Sequence, residues 1–200
     1  MLLITIENIY TKITSKNNNL VKRFRSFKKG SFSKDKEYFC IEGTHLMEEL
    51  LKSGNRPEKI LVTEKWLYKN QRFKRCLDQS SLVIVSDEVL ASAVSTKRPD
   101  GVVALVKISS IPKYELKNED DFILVLDRIQ DPGNLGNIFR TALAAGVDKI
   151  FLAGGANPLS QKVLRASCGS VFYLPFQRFE GDEKEIIDSL LISLKQISKM

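Results

Sequence analysis

Three cysteines and one histidine are all the thiols and imidazoles that this 200-residue sequence offers a metal. Cys40, Cys76 and Cys168 lie far apart, form no C-x-x-C pair and are odd in number. With His45 they make neither a zinc site nor a disulfide framework. No apolar run approaches the ~20 residues needed to span a bilayer. The opening Met1-Leu-Leu-Ile-Thr-Ile-Glu7 is too short for a secretory signal and acquires an acid too early. A reduced, cytoplasmic location without a membrane partner is therefore expected. The G-x-G-x-x-G and Walker spacings are missing too, which removes the usual dinucleotide and nucleoside-triphosphate loops.

Against these absences stands an excess of positive charge. The composition is ordinary for a globular chain, 43% hydrophobic and 28% charged, but the net charge is +7. Much of it is concentrated. Lys22, Arg23, Arg25, Lys28, Lys29, Lys34 and Lys36 face only Asp35, with Phe24, Phe27 and Phe32 between them. The bland interpretation is a solvated basic helix whose phenylalanines are core. A concentrated basic surface also fits a polyanion, because phosphate contacts dominate nucleic-acid affinity. Lys22, Arg23, Arg25, Lys28 and Lys29 are accordingly candidates for RNA contact.

Strand and helix patterns alternate along the chain. Residues 1–14 read as an extension and 15–29 as a helix with Val21 and Phe24 inward and Phe27 a further candidate for that face. Strands are expected at 38–41, 59–63, 82–85 and 101–108, with helices at 43–51, 65–77 and 87–94. That is a small α/β domain over residues 15–108. Residues 109–121, with Pro112 and a charge cluster, read as a linker. A second domain over 122–200 opens on a buried strand, Phe122–Leu126. Further strands are expected at 149–152 and 171–174, and a helix at 159–167. A final amphipathic helix from Asp182 turns Ile186, Ile187, Leu190, Leu191, Leu194 and Ile197 inward. Its acids at the start and Lys195 and Lys199 at the end suit the helix dipole.

Asp127 to Val147 is the most specific stretch. Asp131-Pro132-Gly133 is a turn signal, and a helix of about 135–145 puts Leu135, Ile138, Phe139, Ala142 and Leu143 on one apolar face. Asn137, Arg140 and Thr141 share another face, and Gly146 ends the helix. An open α/β sheet places ligands at the carboxyl ends of its strands, which is where this loop falls. By spacing alone, a tight turn and an exposed arginine explain it equally well.

The wording of the segment says more than its spacing. Asp131-Pro-Gly-Asn-x-Gly136-x-Ile-x-Arg140-Thr-Ala-x-x-x-Gly146-Val closely resembles the first motif of the SpoU (TrmH-type) RNA 2′-O-ribose methyltransferases, in the knotted SPOUT group. Asn157 to Pro175 resembles the block that follows the second strand of that domain. Phe39-Cys-Ile-Glu-Gly-Thr-His-Leu-Met-Glu-Glu-Leu50 and Gly101-Val-Val-Ala-Leu-Val106 are similar to the ends of the family's substrate-binding domain, which folds like certain ribosomal proteins that bind kinked RNA. The fold class implied is α/β: a ribosomal-protein-like domain, then the first part of an α/β-knot methyltransferase domain.

The resemblance implies methyl transfer from S-adenosylmethionine to a 2′-hydroxyl of structured RNA, ribosomal or transfer. It makes Arg140 the central catalytic residue and Asn134 its partner in the loop. Arginine is protonated at all working pH values, so Arg140 suits a clamp on phosphate and developing oxyanion. A base role would need a strongly depressed pKa. Asn134 as a helix cap is an equally good reading. Arg128, Lys162 and Arg165 are further RNA-contact candidates, each equally a surface charge. Ser167 and Gly169 suit close backbone packing, Cys168 a small buried residue, and His45 beside Glu42 a structural or RNA contact. Two family motifs, a Gly/Glu loop and a Pro-Met…Ser-Leu-Asn segment that together hold S-adenosylmethionine, are not found in the sequence. No cofactor-binding residue is therefore assigned, and the 200-residue chain is expected to be inactive alone, with unpaired sheet edges. The resemblance implies a homodimer, whose usual interface in the family draws on the C-terminal part that carries these motifs, so the resemblance leaves this chain's own dimerisation open. The alternative is a non-catalytic RNA- or partner-binding module.

Overall fold

Near-continuous apolar runs such as Lys59-Ile-Leu-Val62, Leu82-Val-Ile-Val85 and Val102-Val-Ala-Leu-Val106 suit strands that are covered on both faces. The computed structural model describes residues 10–29, 37–112 and 122–197. It divides the chain into two units, Met1–Ser110 and Ile111–Met200. The sequence expectations for residues 1–9, for most of the linker and for Phe32, Lys34, Lys36 and Lys199 lie outside the described residues.

In the first unit the elements run β1 (Thr11–Ile13), α1 (Asn19–Ser26), β2 (Tyr38–Glu42), α2 (Thr44–Lys52), β3 (Lys59–Val62), α3 (Glu64–Lys69), β4 (Leu82–Val85), α4 (Asp87–Ala93) and β5 (Val102–Lys107). The sheet order is β1-β4-β3-β5-β2. β1 and β3 pair with β4 in parallel, while β5 lies antiparallel between β3 and β2. Val21 and Phe24 of α1 pack with Leu61, Val83, Leu90 and Leu105 in the core. Side chains open the helices: Asn18, Thr63 and Ser86 each accept a backbone N–H from the first turn. These caps also move boundaries. The first helix begins at Asn19 rather than residue 15, and the third breaks at Asn70 into a 3-10 turn. Thr11–Ile13, read as extension, is an edge strand.

The second unit runs β6 (Ile123–Asp127), α5 (Pro132–Ala144), β7 (Lys149–Ala153), α6 (Gln161–Ala166), β8 (Phe176–Phe179) and α7 (Glu183–Ile197). Its three strands are parallel in the order β6-β7-β8. β7, in the centre, is buried throughout. β6 is at the edge of this sheet, so the strand expected to be buried leaves Phe122 54% and Val125 40% exposed. The strand expected at 171–174 is instead a 3-10 turn, Ser170–Phe172, and pairing begins only after Pro175. Its apolar residues are buried, so the run marked the core and not a strand.

α7 is amphipathic as expected and starts on a reciprocal capping box: Asp182 N–H donates to Glu185, and Glu185 N–H to Asp182. The helix is only partly covered. Ile186, Leu190 and Leu194 are half-buried, whereas Ile187, Leu191 and Ile192 stand in solvent. A single layer of three strands has too little surface to cover the whole apolar face. No described helix is long and apolar enough to cross a membrane.

Candidate RNA-facing site

The Asp127–Val147 stretch folds as strand, loop and helix, but the helix starts three residues earlier than its apolar period suggests. Asp131 is the N-cap, accepting the Asn134 N–H at 2.7 Å, and Pro132 takes the first helical position. Such a cap contributes about 1 kcal/mol. Asn134 is thus inside the first turn and is neither loop nor cap. Arg140 follows it by six positions, about 9 Å along the axis and a third of a turn out of phase. No hydrogen bond joins the two side chains among the described residues. Asn137, one turn before Arg140, is the asparagine that shares its face. Gly146, with φ of 75°, ends the helix as expected, and the Val147 N–H returns to the Ala142 carbonyl. Leu143, assigned to the apolar face, is 38% exposed.

Gly136 sets how closely the two helices approach. A Cβ there would lie 2.5 Å from Ala166 Cβ and 2.8 Å from the Ser167 nitrogen. The backbone of α6 therefore rests directly on α5. This contact brings the 167–169 turn beside Arg140, whose Nη1 lies 4.0 Å from Cys168 Sγ. Cys168 is exposed, not buried, and holds a left-handed φ of 50°. Gly169 is left-handed as well, and Ser167 is fully buried, its hydroxyl donating to the Leu164 carbonyl. Arg140 itself is exposed. It sits more than two turns below the start of α5, beside the exit of α6, and not at the carboxyl ends of the strands.

Those carboxyl ends carry a different cation. Arg128 bonds Asp127 at 2.9 Å and lies 3.4 Å from Glu183. The hydrogen bond it donates to Asp127 first, then both acids' charges, push its pKa up. It is thus a structural tie between β6 and α7. Arg178, which the sequence did not single out, secures the next loop by donating to the Gly155 carbonyl at 2.8 Å. Its lone position in a short strand gave no signal. Lys162 and Arg165 are exposed on α6. A cavity of about 140 Å³ near these strand ends is lined by Asp127, Arg128, Glu183 and apolar residues of β6, β7 and α7. Small-molecule sites start near 300 Å³. These residues do not by themselves fit S-adenosylmethionine.

In the first unit, the basic segment divides in the same way. Arg25 is spent internally, donating to Lys16 and Ser92, and Arg23 stacks on the Tyr38 ring at 4.4 Å. Lys28 reaches the Ala91 and Ser92 carbonyls at 3.5 Å. Lys22 is exposed, and the Lys29 side chain lies outside the described residues. His45 is exposed at the start of α2, while Glu42 bonds a distant loop instead of it.

Comparison with known proteins gives the geometry a setting. Residues 121–193 match the SpoU rRNA Methylase family and residues 18–104 the MRM3-like substrate binding domain. A crystal structure of an RNA 2′-O ribose methyltransferase is 30% identical with a TM-score of 0.67, covering 94% of this chain and 70% of its own. The chain belongs to the SpoU family of RNA methyltransferases. An uncharacterized tRNA/rRNA methyltransferase of Synechocystis is 41% identical over 84% of the chain and 62% of the relative. An AdoMet-bound rRNA methyltransferase of Sinorhizobium meliloti is 27% identical with a TM-score of 0.70, covering 90% of this chain and 67% of that one. This SpoU chain spans 62–64% of the length of the first curated relatives it matches. The family's activity is 2′-O-methylation of RNA with S-adenosylmethionine.

Proposed function

We propose that this protein acts in the 2′-O-methylation of ribosomal or transfer RNA in the cytoplasm. The first unit holds the RNA and Arg140 holds the reacting ribose–phosphate. One contrast carries the reading. Arg128 is ion-paired with two carboxylates, whereas Arg140 stands exposed on a capped and packed helix and, among the described residues, is engaged only by a thiol at 4.0 Å. A fixed guanidinium with open donors suits bidentate contact with a phosphate and stabilisation of charge developing on the 2′-oxygen. Exposed Lys22, Lys162 and Arg165, with Lys28, are the further RNA contacts of this reading. S-adenosylmethionine supplies the methyl group in the family. No step through it is assigned to these residues, since those at the strand ends do not enclose it.

Two measurements test the reading. By anisotropy, the 200-residue chain should bind a labelled RNA hairpin with strong salt dependence, and Arg140→Ala should lower the salt slope by about 1. An unchanged slope would remove Arg140 from the interface, and no binding by the wild type would sink the RNA assignment. By calorimetry, the same chain should take up no S-adenosylmethionine and transfer no methyl group to RNA. Uptake or transfer would show that the strand-end residues suffice for the cofactor after all.

A further inference from the structure

Glu42 is a buried acid, 8% exposed at the carboxyl end of β2, and it lies in the first unit, apart from the chemistry assigned to Arg140. Burying a carboxylate is costly unless it is hydrogen-bonded. Here three bonds go to the loop that follows α4. Glu42 accepts the Ser95 N–H at 2.6 Å, the Ser95 hydroxyl at 2.9 Å and the Thr96 N–H at 3.1 Å. The far end of that loop is held too. Asp100 accepts from the Thr44 N–H at 2.8 Å and the Thr44 hydroxyl at 2.7 Å, and the Trp66 indole N–H donates to the same hydroxyl oxygen. Gly101, with φ of 112°, then feeds β5.

A loop clamped at both ends has already lost its freedom. What it carries outward is Lys97 and Arg98, both exposed, and among the described residues neither forms an ion pair. Elsewhere in this unit several surface cations are matched locally: Lys12 with Glu64, Lys16 with Glu88, Lys52 with Glu48 and Glu49, and Lys107 with Glu58. Two adjacent, unmatched cations on a fixed backbone suit a polyanion, because little ordering remains to be done on binding. Arg98 adds a planar fork that matches phosphate oxygens.

We propose that Ser95–Gly101 is a pre-formed phosphate-contact loop for RNA, with Lys97 and Arg98 as its contacts and Glu42 as the positioning residue. It deepens the assignment of RNA binding to the first unit and rests on it.

The test titrates a fluorescently labelled RNA hairpin by anisotropy over a series of KCl concentrations. No binding by the wild type would overturn the RNA assignment itself. Given binding, K97A/R98A should weaken it roughly tenfold and lower the salt slope by about 2. Lys52→Ala removes a cation already matched by Glu48 and Glu49, and should change little. Glu42→Gln separates positioning from bulk charge. It removes a negative charge, so long-range electrostatics alone predicts tighter binding, whereas loss of the clamp predicts weaker binding and a lower slope. Added to K97A/R98A, Glu42→Gln should no longer weaken binding. A wild-type slope in K97A/R98A, or tighter binding by Glu42→Gln that circular dichroism shows to be folded, overturns the proposal. If Glu42→Gln does not fold, K97A/R98A decides alone.

Discussion

Gly136→Val should lose about 3 kcal/mol or more of stability in the second unit, enough to unfold a marginal domain. The new Cβ alone would stand 2.5 Å from Ala166 Cβ, 2.8 Å from the Ser167 nitrogen and 2.9 Å from the Val163 oxygen. Two of these neighbours are backbone atoms already bonded to each other, since the Ser167 N–H donates to the Val163 carbonyl at 2.8 Å. Neither yields without opening the last turn of α6. Valine brings two further methyl groups, and its gain in helix propensity over glycine, about half a kcal/mol, is too small to offset the clash. Urea unfolding with amide exchange along α5 and α6 would register the loss. Stability within about 0.5 kcal/mol of wild type, the usual range for innocuous surface changes, would mean that the helices are not in contact at Gly136.

Gly101→Ala should cost the first unit about 3 kcal/mol, from two sources that add. A φ of 112° is strained for any residue with a Cβ, at about 1–3 kcal/mol. That Cβ would also meet Trp66 Cβ at 2.7 Å and Thr63 Oγ1 at 2.8 Å. Thr63 cannot retreat freely, because its hydroxyl caps α3 by accepting the Trp66 N–H. Trp66 is the sole tryptophan, so its fluorescence during denaturation follows this unit directly. Gly54→Ala is the control: its φ is 85°, but a Cβ there meets nothing within 4 Å. Strain alone then remains, and equal losses in the two variants would show that the contact with Trp66 is unimportant.

Much of this was legible in the sequence, for reasons that also explain what was not. Apolar strands such as Leu82–Val85 and, after its first lysine, Lys149–Ala153 carry their own signal, since both faces are covered. Gly146 was readable because a helix needs a left-handed residue after its last turn. Where apolar residues served the core without forming strand pairs, as in Val171–Leu174, the pattern misled. Periodicity placed Leu143 and Leu191 inward, but whether an apolar face finds a partner depends on how many strands lie beneath it. The start of α5 was missed for a simpler reason. Pro132, Gly133 and Asn134 look like a turn until Asp131 is recognised as a cap with proline at the first helical position. Arg140 was singled out by the wording of its motif alone, and Arg178 was missed because nothing in the sequence shows that its guanidinium reaches the loop after β7. Lys97 and Arg98 had no motif of their own, and the clamp that makes them notable exists only once Glu42 and Asp100 are brought to one end of the sheet.

The edge position of β1 has a kinetic meaning. Thr11 pairs with Val83, Lys12 with Ile84 and Ile13 with Val85, so three residues must find partners more than a third of the chain away. The entropy of closing so long a loop is repaid by one short ladder whose side chains are mostly exposed. β3 and β5 meet across a shorter separation and bury far more. The amino-terminal strand should therefore dock last when the chain folds and let go first when it fluctuates. Millisecond pulse-labelling should find the amides of Thr11–Ile13 open after those of β3 and β5 are closed. Protection of all three strands in the same step would mean that β1 belongs to the nucleus.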